Sequence, residues 1–464
     1  MGSTYRMFRL RAEETPPLFP QPGPFLPKVS KPGLARLILK EALGYNRKLL
    51  GSAHREALLS RPCIYGVFSG PFGGFSPRVE KCTGCMRCVQ EHPEVCSVVR
   101  NPAFAEQGDS YWTPTAATGS TPLSTVLYEA HTGKVPVRGM GYKGAFRGEG
   151  WDAMWTDMSE IVRPTRDGVY GREYISTSVD IGRRASHLEF DASGDLITSS
   201  RTVEIPIPII FDALPEQVSN ADITESIRTA AGNVGTLFVG RYVQKEARCI
   251  ALAGDLDSVR AAQRCAAIEL EDAALLQEAR KLFSGPLGVR LPTKEGFVER
   301  AVELSRTADF LHLCADYHGR TFESTERHLK DALLDVHQRL VQEGIRNEVT
   351  LIASGGIILA EHIPKALLCG ADAVALDTAL LVALQARFLG ECRFPERSAI
   401  QRHRIPVEWG TRRILNLMTS WHHQLIEMMS AMGVREARRL RGNVGRALFA
   451  DELEREAFGD IQGY

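Results

Sequence analysis

The sequence predicts an α/β protein built around an eight-stranded parallel (β/α)8 barrel, the TIM-barrel fold. Between residues 203 and 385, short apolar runs rich in β-branched residues alternate with amphipathic stretches of helical period. Strands that are apolar throughout are typical of parallel sheets with helices on both faces. Eight such runs favour a closed barrel, and the open doubly wound sheet is the structural alternative.

The predicted strands leave room for a helix between most of them. They cover residues 205–214, 234–240, 248–254, 266–271, 287–292, 310–316, 349–356 and 373–378. The carboxyl ends of parallel barrel strands meet at one end of the barrel, where barrel enzymes carry their chemistry. Polar residues that follow these strands are therefore candidate site residues.

Four further segments surround the barrel domain at 203–385. They are a proline-rich arm and helix at 1–60, a cysteine-rich segment at 61–130, a glycine- and arginine-rich lead-in at 131–202 and a helical extension at 386–464. The proline density of 14–34 predicts an extended arm. Amphipathic patterns predict helices at 35–50 and 410–433.

Composition excludes several functional classes. Hydrophobic residues make up 44% of the chain, which supports a large core, and the formal net charge of zero gives no broad attraction to nucleic acid. The amino terminus lacks the apolar core of a secretory signal, and no apolar run approaches the roughly 20 residues that span a bilayer. We expect a soluble, cytoplasmic protein that does not bind nucleic acid.

Three closely spaced cysteines form the strongest motif. Cys82, Cys85 and Cys88 are separated by two residues each, within KCTGCMRCVQEHPEVC. This spacing wraps one backbone turn around one corner of a cubane cluster and predicts an iron–sulfur site of the 4Fe-4S type. Structural zinc, the alternative, usually takes two separated Cys-x2-Cys pairs.

The fourth ligand is less clearly marked. The usual bacterial run places a Cys-Pro three residues after the third cysteine, but here His92 and Pro93 occupy those positions. Cys96 is the first choice, and Cys63 is the alternative. The remaining five cysteines lie among apolar residues and are interpreted as core side chains in a reducing compartment.

A phosphate-binding pattern follows strands seven and eight. Strand seven ends in Ser354, Gly355 and Gly356, and strand eight ends in Asp377 and Thr378. Paired glycines let backbone N–H groups approach a phosphate, and this position in barrels often binds one. The pattern predicts an FMN phosphate site, with a tight strand–helix turn as the alternative.

Charged residues end the middle strands. Arg290 can face the flavin N1–O2 edge, or form a salt bridge within the barrel wall. Glu269, Asp316 and His318 are candidate catalytic groups, of which Asp316 or His318 is suited to moving protons, and Arg320 is a candidate cofactor contact. For each of these residues a structural role is the alternative. We reject a dinucleotide site at GMGYKG (139–144), because neither a strand nor a helix flanks it.

These motifs resemble the FMN-binding synthase domain of glutamate synthase, in its archaeal-type or stand-alone form. The resemblance is carried by GAFRGEGWDAMWTDMSEIVRPTRDGVYGREYISTSVDIGR (144–183), PIIFDALP, ASGGI with GADAVALDT, and MGVREARRLRG. It implies FMN at the barrel mouth, electrons arriving through iron–sulfur clusters, and hydride transfer to the 2-iminoglutarate formed from 2-oxoglutarate and ammonia.

The chain also departs from that family. The glycine-rich loop expected after strand six reads Asp-Tyr-His-Gly-Arg-Thr at 316–321, and only Cys392 remains of three cysteines expected after strand eight. No glutaminase domain precedes the barrel. The resemblance therefore implies an electron-donor subunit or ferredoxin, a possible separate glutaminase subunit, and a homo- or hetero-oligomer. The alternatives are an FMN oxidoreductase with another substrate, or an electron-transfer subunit of a larger complex.

Overall fold

The computed structural model describes most of the chain. The described residues are 8–19, 23, 25–43, 63–69, 77–102, 122–135, 149–157, 174–198, 200–241, 248–389, 392–394 and 398–458. The GMGYKG segment and much of the glycine- and arginine-rich lead-in lie outside these ranges.

The described residues form sixteen strands and twelve α-helices. The strands are β1 (Phe25–Val29), β2 (Cys96–Arg100), β3 (Met154–Thr156), β4 (Val179–Arg183), β5 (Arg201–Ile205), β6 (Ile209–Phe211), β7 (Phe238–Gly240), β8 (Cys249–Ala253), β9 (Ala267–Leu270), β10 (Leu287–Pro292), β11 (Phe310–Cys314), β12 (Thr350–Ser354), β13 (Ala373–Leu376), β14 (Arg387–Leu389), β15 (Ala399–Gln401) and β16 (Ala447–Phe449). The helices are α1 (Lys31–Leu43), α2 (Arg87–Glu91), α3 (Pro122–Thr132), α4 (Ala221–Val234), α5 (Leu256–Ala261), α6 (Leu276–Leu282), α7 (Phe297–Ser305), α8 (Leu329–Gln342), α9 (His362–Leu368), α10 (Thr378–Ala383), α11 (Val407–Ala431) and α12 (Ala450–Phe458).

Strands β6 to β13 close into an eight-stranded parallel barrel, which confirms the predicted fold class. Each of the eight predicted apolar runs contains one barrel strand. The barrel strands are almost entirely buried, because helices cover their outer faces and side chains fill the interior. The carboxyl ends of all eight strands therefore meet at one face.

An antiparallel hairpin of β4 and β5 closes the opposite face of the barrel. The backbone N–H of Gly182 donates to Oγ1 of Thr350, the first residue of β12, at 3.1 Å. Asp309, fully buried before β11, accepts from the guanidinium of Arg201 at 2.9 Å and from the N–H of Leu287 at 2.9 Å. Polar contacts at this face stabilise the barrel and leave the other face available for a site.

Helix α11 packs against α3 and α4 on the outside of the barrel and agrees with the helix predicted at 410–433. Residues 8–19 run along this helix, and the indole N–H of Trp409 donates to the carbonyl of Pro16 at 2.8 Å. The N–H of Glu13 donates to Asn416 at 2.9 Å. None of the helices in the described ranges is both long and apolar enough to cross a bilayer.

The cysteine-rich segment packs as a small unit with its own core. Strand β1, which lies in the segment predicted to be an extended arm, pairs antiparallel with β2. Helix α1 also begins earlier than predicted, at Lys31. Pro32 is tolerated there because the first turn of a helix needs no partner for its N–H.

Candidate functional sites

A buried cluster of charges lies inside the barrel near its carboxyl-terminal face. Arg290 on β10 donates to Glu269 on β9 at 2.7 Å and to Asp212, the residue after β6. Nδ1 of His312 on β11 lies within hydrogen-bond distance of Oε1 of Glu269, at 2.9 Å. Two cations thus lie against two carboxylates, with exposed fractions from 0% for Glu269 to 20% for Arg290.

Contacts within the cluster shift the pKa values of Glu269 and His312. Burial opposes the charge of Glu269, but Arg290 and His312 outweigh it and lower the pKa of that carboxyl to about 2. Burial likewise opposes the charge of His312, but Cys314 and Glu269 raise its pKa well above the usual value. Glu269 is therefore an anion and His312 an imidazolium at neutral pH.

Two of the four residues of this cluster, Arg290 and Glu269, were predicted as site residues from the sequence. Arg290 forms the salt bridge within the barrel wall that the sequence left open, and its role toward FMN stays a prediction. Asp212 and His312 were missed. A signal existed, because each places a charged side chain in or directly after an otherwise apolar strand.

Asp377 and Thr378 lie at the end of β13, where α10 begins. The carboxylate of Asp377 accepts from the N–H of Thr378 and, at 2.8 Å, from its hydroxyl, so the pair forms a helix cap. Burial, and then the charge of Asp212, raise the pKa of Asp377 to about 6. This carboxyl therefore titrates closer to neutral pH than an ordinary aspartate.

We expect Asp377→Asn to change how stability depends on pH. Between the unfolded value of 3.8 and the folded value of about 6, the folded protein holds a proton that the unfolded chain has lost, so stability falls as pH rises. Asparagine keeps the capping acceptor but does not titrate. The stability gain of the variant over the parent protein should grow from near zero at pH 4 to on the order of 2–3 kcal/mol at pH 7, measured by urea unfolding.

Asp255→Asn is the matched control, because Asp255 caps α5 in the same way. Hydrogen bonds from Ser258 lower the pKa of Asp255. Its stabilising effect is present at neutral pH and lost in acid, so this variant should become less stable than the parent as pH rises. A flat difference for Asp377→Asn across pH 4–7 would contradict the assignment.

The glycines after β12 lie against the loop that follows β11. Gly355 and Gly356 have φ of +105° and +66°. A Cβ on Gly355 would lie 2.6 Å from the carbonyl oxygen of Asp316, and one on Gly356 would lie 2.6 Å from Cα of Gly319. Both glycines are therefore required by backbone packing, and Ser354 before them is buried. Phosphate binding by this loop stays a prediction.

The loop after β11 is organised by Asp316. Its carboxylate accepts from the N–H groups of His318 and Arg320 at 2.9 and 2.8 Å, and from Nε of Arg393 at 2.6 Å. These bonds occupy both oxygens, which favours a positioning role for Asp316 over proton transfer. His318 is half-buried, and Arg320 points away to Glu149 at 2.6 Å.

The lead-in segment contributes an aromatic side chain at the same face. Trp151 is buried, and its ring contacts His328 edge-on with centroids 5.0 Å apart. Burial lowers the pKa of His328 to about 3 and that of His362 well below its usual value. Both imidazoles are therefore neutral, and Trp151 covers the helix starts that follow β11 and β12.

The cysteines of the motif surround a small cavity with Cys63. Left-handed residues recur along the motif, with φ of +70° at Gly84 and +62° at Met86. Such alternation turns successive N–H groups toward one side, as in many phosphate and iron–sulfur sites. Burial raises the pKa of the Cys82 thiol to about 11, whereas a hydrogen bond from Cys96 lowers that of Cys88 to about 7.

The described thiols are not gathered as tightly as the ligands of one zinc ion. No three of these sulfur atoms lie within 4.8 Å of one another in the described part of the chain. Four thiolates on one tetrahedral zinc would be about 3.8 Å apart, since each Zn–S bond is about 2.3 Å. Four cysteines around one cavity are a donor set that suits a four-iron cluster, and binding of such a cluster stays a prediction.

Comparison with known proteins relates the chain to glutamate synthases. Residues 323–435, which include the loops after β12 and β13, match the family described as a conserved region in glutamate synthase. An archaeal-type glutamate synthase (NADPH) of Dehalococcoides mccartyi is 26% identical over 457 residues, covering 81% of this chain and 89% of that protein. An archaeal glutamate synthase (NADPH) of Methanocaldococcus jannaschii is 40% identical over 137 residues, covering 28% of this chain and 27% of that protein.

The similarity to solved structures is weaker than the similarity to these sequence relatives. A lactate oxidase of Pediococcus acidilactici is 13% identical and covers 63% of this chain and 87% of its own, with a TM-score of 0.39. That likeness carries no argument about chemistry. The sequence relatives are more informative, because their similarity to this chain extends over several hundred residues rather than one motif. The chain is thus similar to archaeal-type glutamate synthases over most of its length, and to the conserved glutamate synthase region over residues 323–435.

Proposed function

We propose that the chain is an FMN-dependent oxidoreductase of the glutamate synthase type, with an iron–sulfur centre as its electron entry. The reaction consumes 2-oxoglutarate, ammonia, two electrons and two protons, and releases glutamate and water. The observation that carries the proposal is the match of residues 323–435 to the conserved glutamate synthase region, since it contains both loops predicted to bind the FMN phosphate.

The barrel face fits FMN in its chemistry. Gly355 and Gly356 have positive φ, a backbone conformation that turns N–H groups toward an anion in many phosphate sites. Arg290 and His312 supply buried positive charge near the strand ends. FMN bound there would supply the hydride that reduces an imine.

The residues of the chain would perform the remaining tasks. Glu269 and Asp212 hold the Arg290 guanidinium in place, so that its charge is available without rearrangement. Asp316 fixes the loop that carries His318, which is our candidate for moving a proton to or from the substrate. Trp151 and its neighbouring neutral imidazoles exclude water from the base of these loops.

The electron donor would be a separate protein. The relatives are named for NADPH, and we infer that an NADPH-oxidising subunit or a ferredoxin delivers electrons to the cysteine site here. Ammonia would come from solution or from a glutaminase subunit. Ten free cysteines suit a reducing compartment such as the cytoplasm.

A second candidate is an FMN oxidoreductase with another substrate. The loop after β11 favours it, because Tyr317 is buried and Arg320 is paired with Glu149, where glutamate synthases are expected to have glycines. Larger side chains in this loop would change the shape of the substrate pocket. A substrate screen decides between the two candidates.

Anaerobic reoxidation tests the proposal. The purified protein should contain about one FMN per chain, and after reduction with dithionite it should be reoxidised by 2-oxoglutarate plus ammonia or glutamine, with glutamate formed. Reoxidation by another oxo acid or enone would support the second candidate. Protein that binds no FMN after reconstitution would overturn the barrel site itself.

A further inference from the structure

Five cysteines gather around the motif, one more than a four-iron cluster uses. We propose that Cys63 completes the cluster with Cys82, Cys85 and Cys88, and that Cys96 remains outside it as a thiol bonded to Cys88. This inference rests on the iron–sulfur centre of the proposed function and changes the ligand that the motif spacing favours.

The cavity itself separates the two candidates. The residues that line it include Cys63 and the three motif cysteines, Cys82, Cys85 and Cys88. Cys96 does not line this cavity. It begins β2, opposite Val29 of β1, and is only 3% exposed. Cys63 therefore shares one cavity with the three motif cysteines, as the fourth ligand of one cluster requires.

A backbone hydrogen bond reaches the sulfur of Cys63. The N–H of Val67 donates to Sγ of Cys63 at 3.4 Å, closing a turn around that cysteine. Bonds of this kind stabilise thiolates and tune the potential of iron–sulfur clusters. Cys63 thus has the environment of a ligand, although it lies outside the motif.

Cys96 is placed differently. Its thiol adjoins the sulfur of Cys88. In a cubane each thiolate binds a different iron, so ligands of two corners diverge and do not contact one another. Cys96 is also held by its own backbone, whose N–H donates to the carbonyl of His92 at 2.8 Å.

Iron content tests the assignment. We would reconstitute the parent chain, Cys63→Ala and Cys96→Ala under anaerobic conditions and measure iron, sulfide, FMN and the EPR spectrum. Cys63→Ala should lose at least one iron of each four and show, when oxidised, the signal of a three-iron cluster, or lose iron altogether. Cys96→Ala should keep the full iron content with a shifted reduction potential, because the contact with Cys88 is gone.

Full iron in Cys63→Ala with loss in Cys96→Ala would overturn the proposal. If both alanine variants lose iron, the serine variants decide, because serine oxygen can bind iron. Recovery of a cluster with an altered spectrum in Cys63→Ser supports the assignment, and recovery only in Cys96→Ser overturns it. FMN content and glutamate formation with dithionite report on the barrel independently. Absence of FMN or of glutamate formation would contradict the proposed reaction, whereas the iron content would still test the choice between Cys63 and Cys96.

Discussion

Arg290→Met should lower the free energy of unfolding by about 3–5 kcal/mol and abolish FMN binding. Arg290 lies between Asp212 and Glu269, which are 5% and 0% exposed. Without the guanidinium, two carboxylates remain in the barrel interior with only His312 nearby. A buried charge that loses its partner is costly because no water replaces the lost interaction. Urea unfolding and the flavin content of the purified variant measure both effects.

Arg241→Met is the matched control at the same barrel face. Arg241 pairs with Glu271 at 2.5 Å, but its side chain is 43% exposed. Solvent screens this pair, so its loss should change stability by no more than about 1 kcal/mol. Equal effects of the two substitutions would show that the buried cluster is not what holds this face together.

Gly356→Ala should be nearly as damaging. At φ of +66° a Cβ is strained, and it would also lie 2.6 Å from the backbone of Gly319. We expect a loss of about 2–5 kcal/mol, which combines the left-handed strain with overpacking against backbone that cannot rotate away. The loops after β11 and β12 would separate, so FMN content should fall at the same time.

Gly296→Ala isolates the strain from the collision. Gly296 has φ of +73°, and a Cβ there would meet nothing within 4 Å. This variant should lose only about 1–2 kcal/mol and keep its FMN. If Gly356→Ala behaves like Gly296→Ala in thermal unfolding and flavin content, close packing of the two loops is not required.

The barrel could be predicted because its signal is local and repeated. Each strand is an apolar run between turn residues, and each helix carries one apolar face, so every repeat independently indicates the same architecture. Helix α11 was predictable for the same reason. The residues at which elements begin were harder to predict. Pro32, for example, is compatible with either an extended arm or the first turn of α1.

Candidate site residues were predictable where spacing carries chemistry. Cys82, Cys85 and Cys88 lie within one short loop and line one cavity. Asp212 and His312 were not found, because each is a single charged residue whose meaning depends on neighbouring strands. The function of Asp316 also depends on a residue distant in sequence, Arg393, which binds its carboxylate.

The order of residues along the chain was enough to establish the barrel, the cysteine motif and the resemblance to glutamate synthase, because periodicity and short spacings survive without coordinates. Only the tertiary structure brought Cys63 to the motif, left Cys96 out of the cavity lining, and paired Arg290 with both Asp212 and Glu269. Burial and charge pairing arise from contacts between distant segments, and these contacts decide which candidate ligand faces the cavity and which carboxyl titrates nearest to neutral pH.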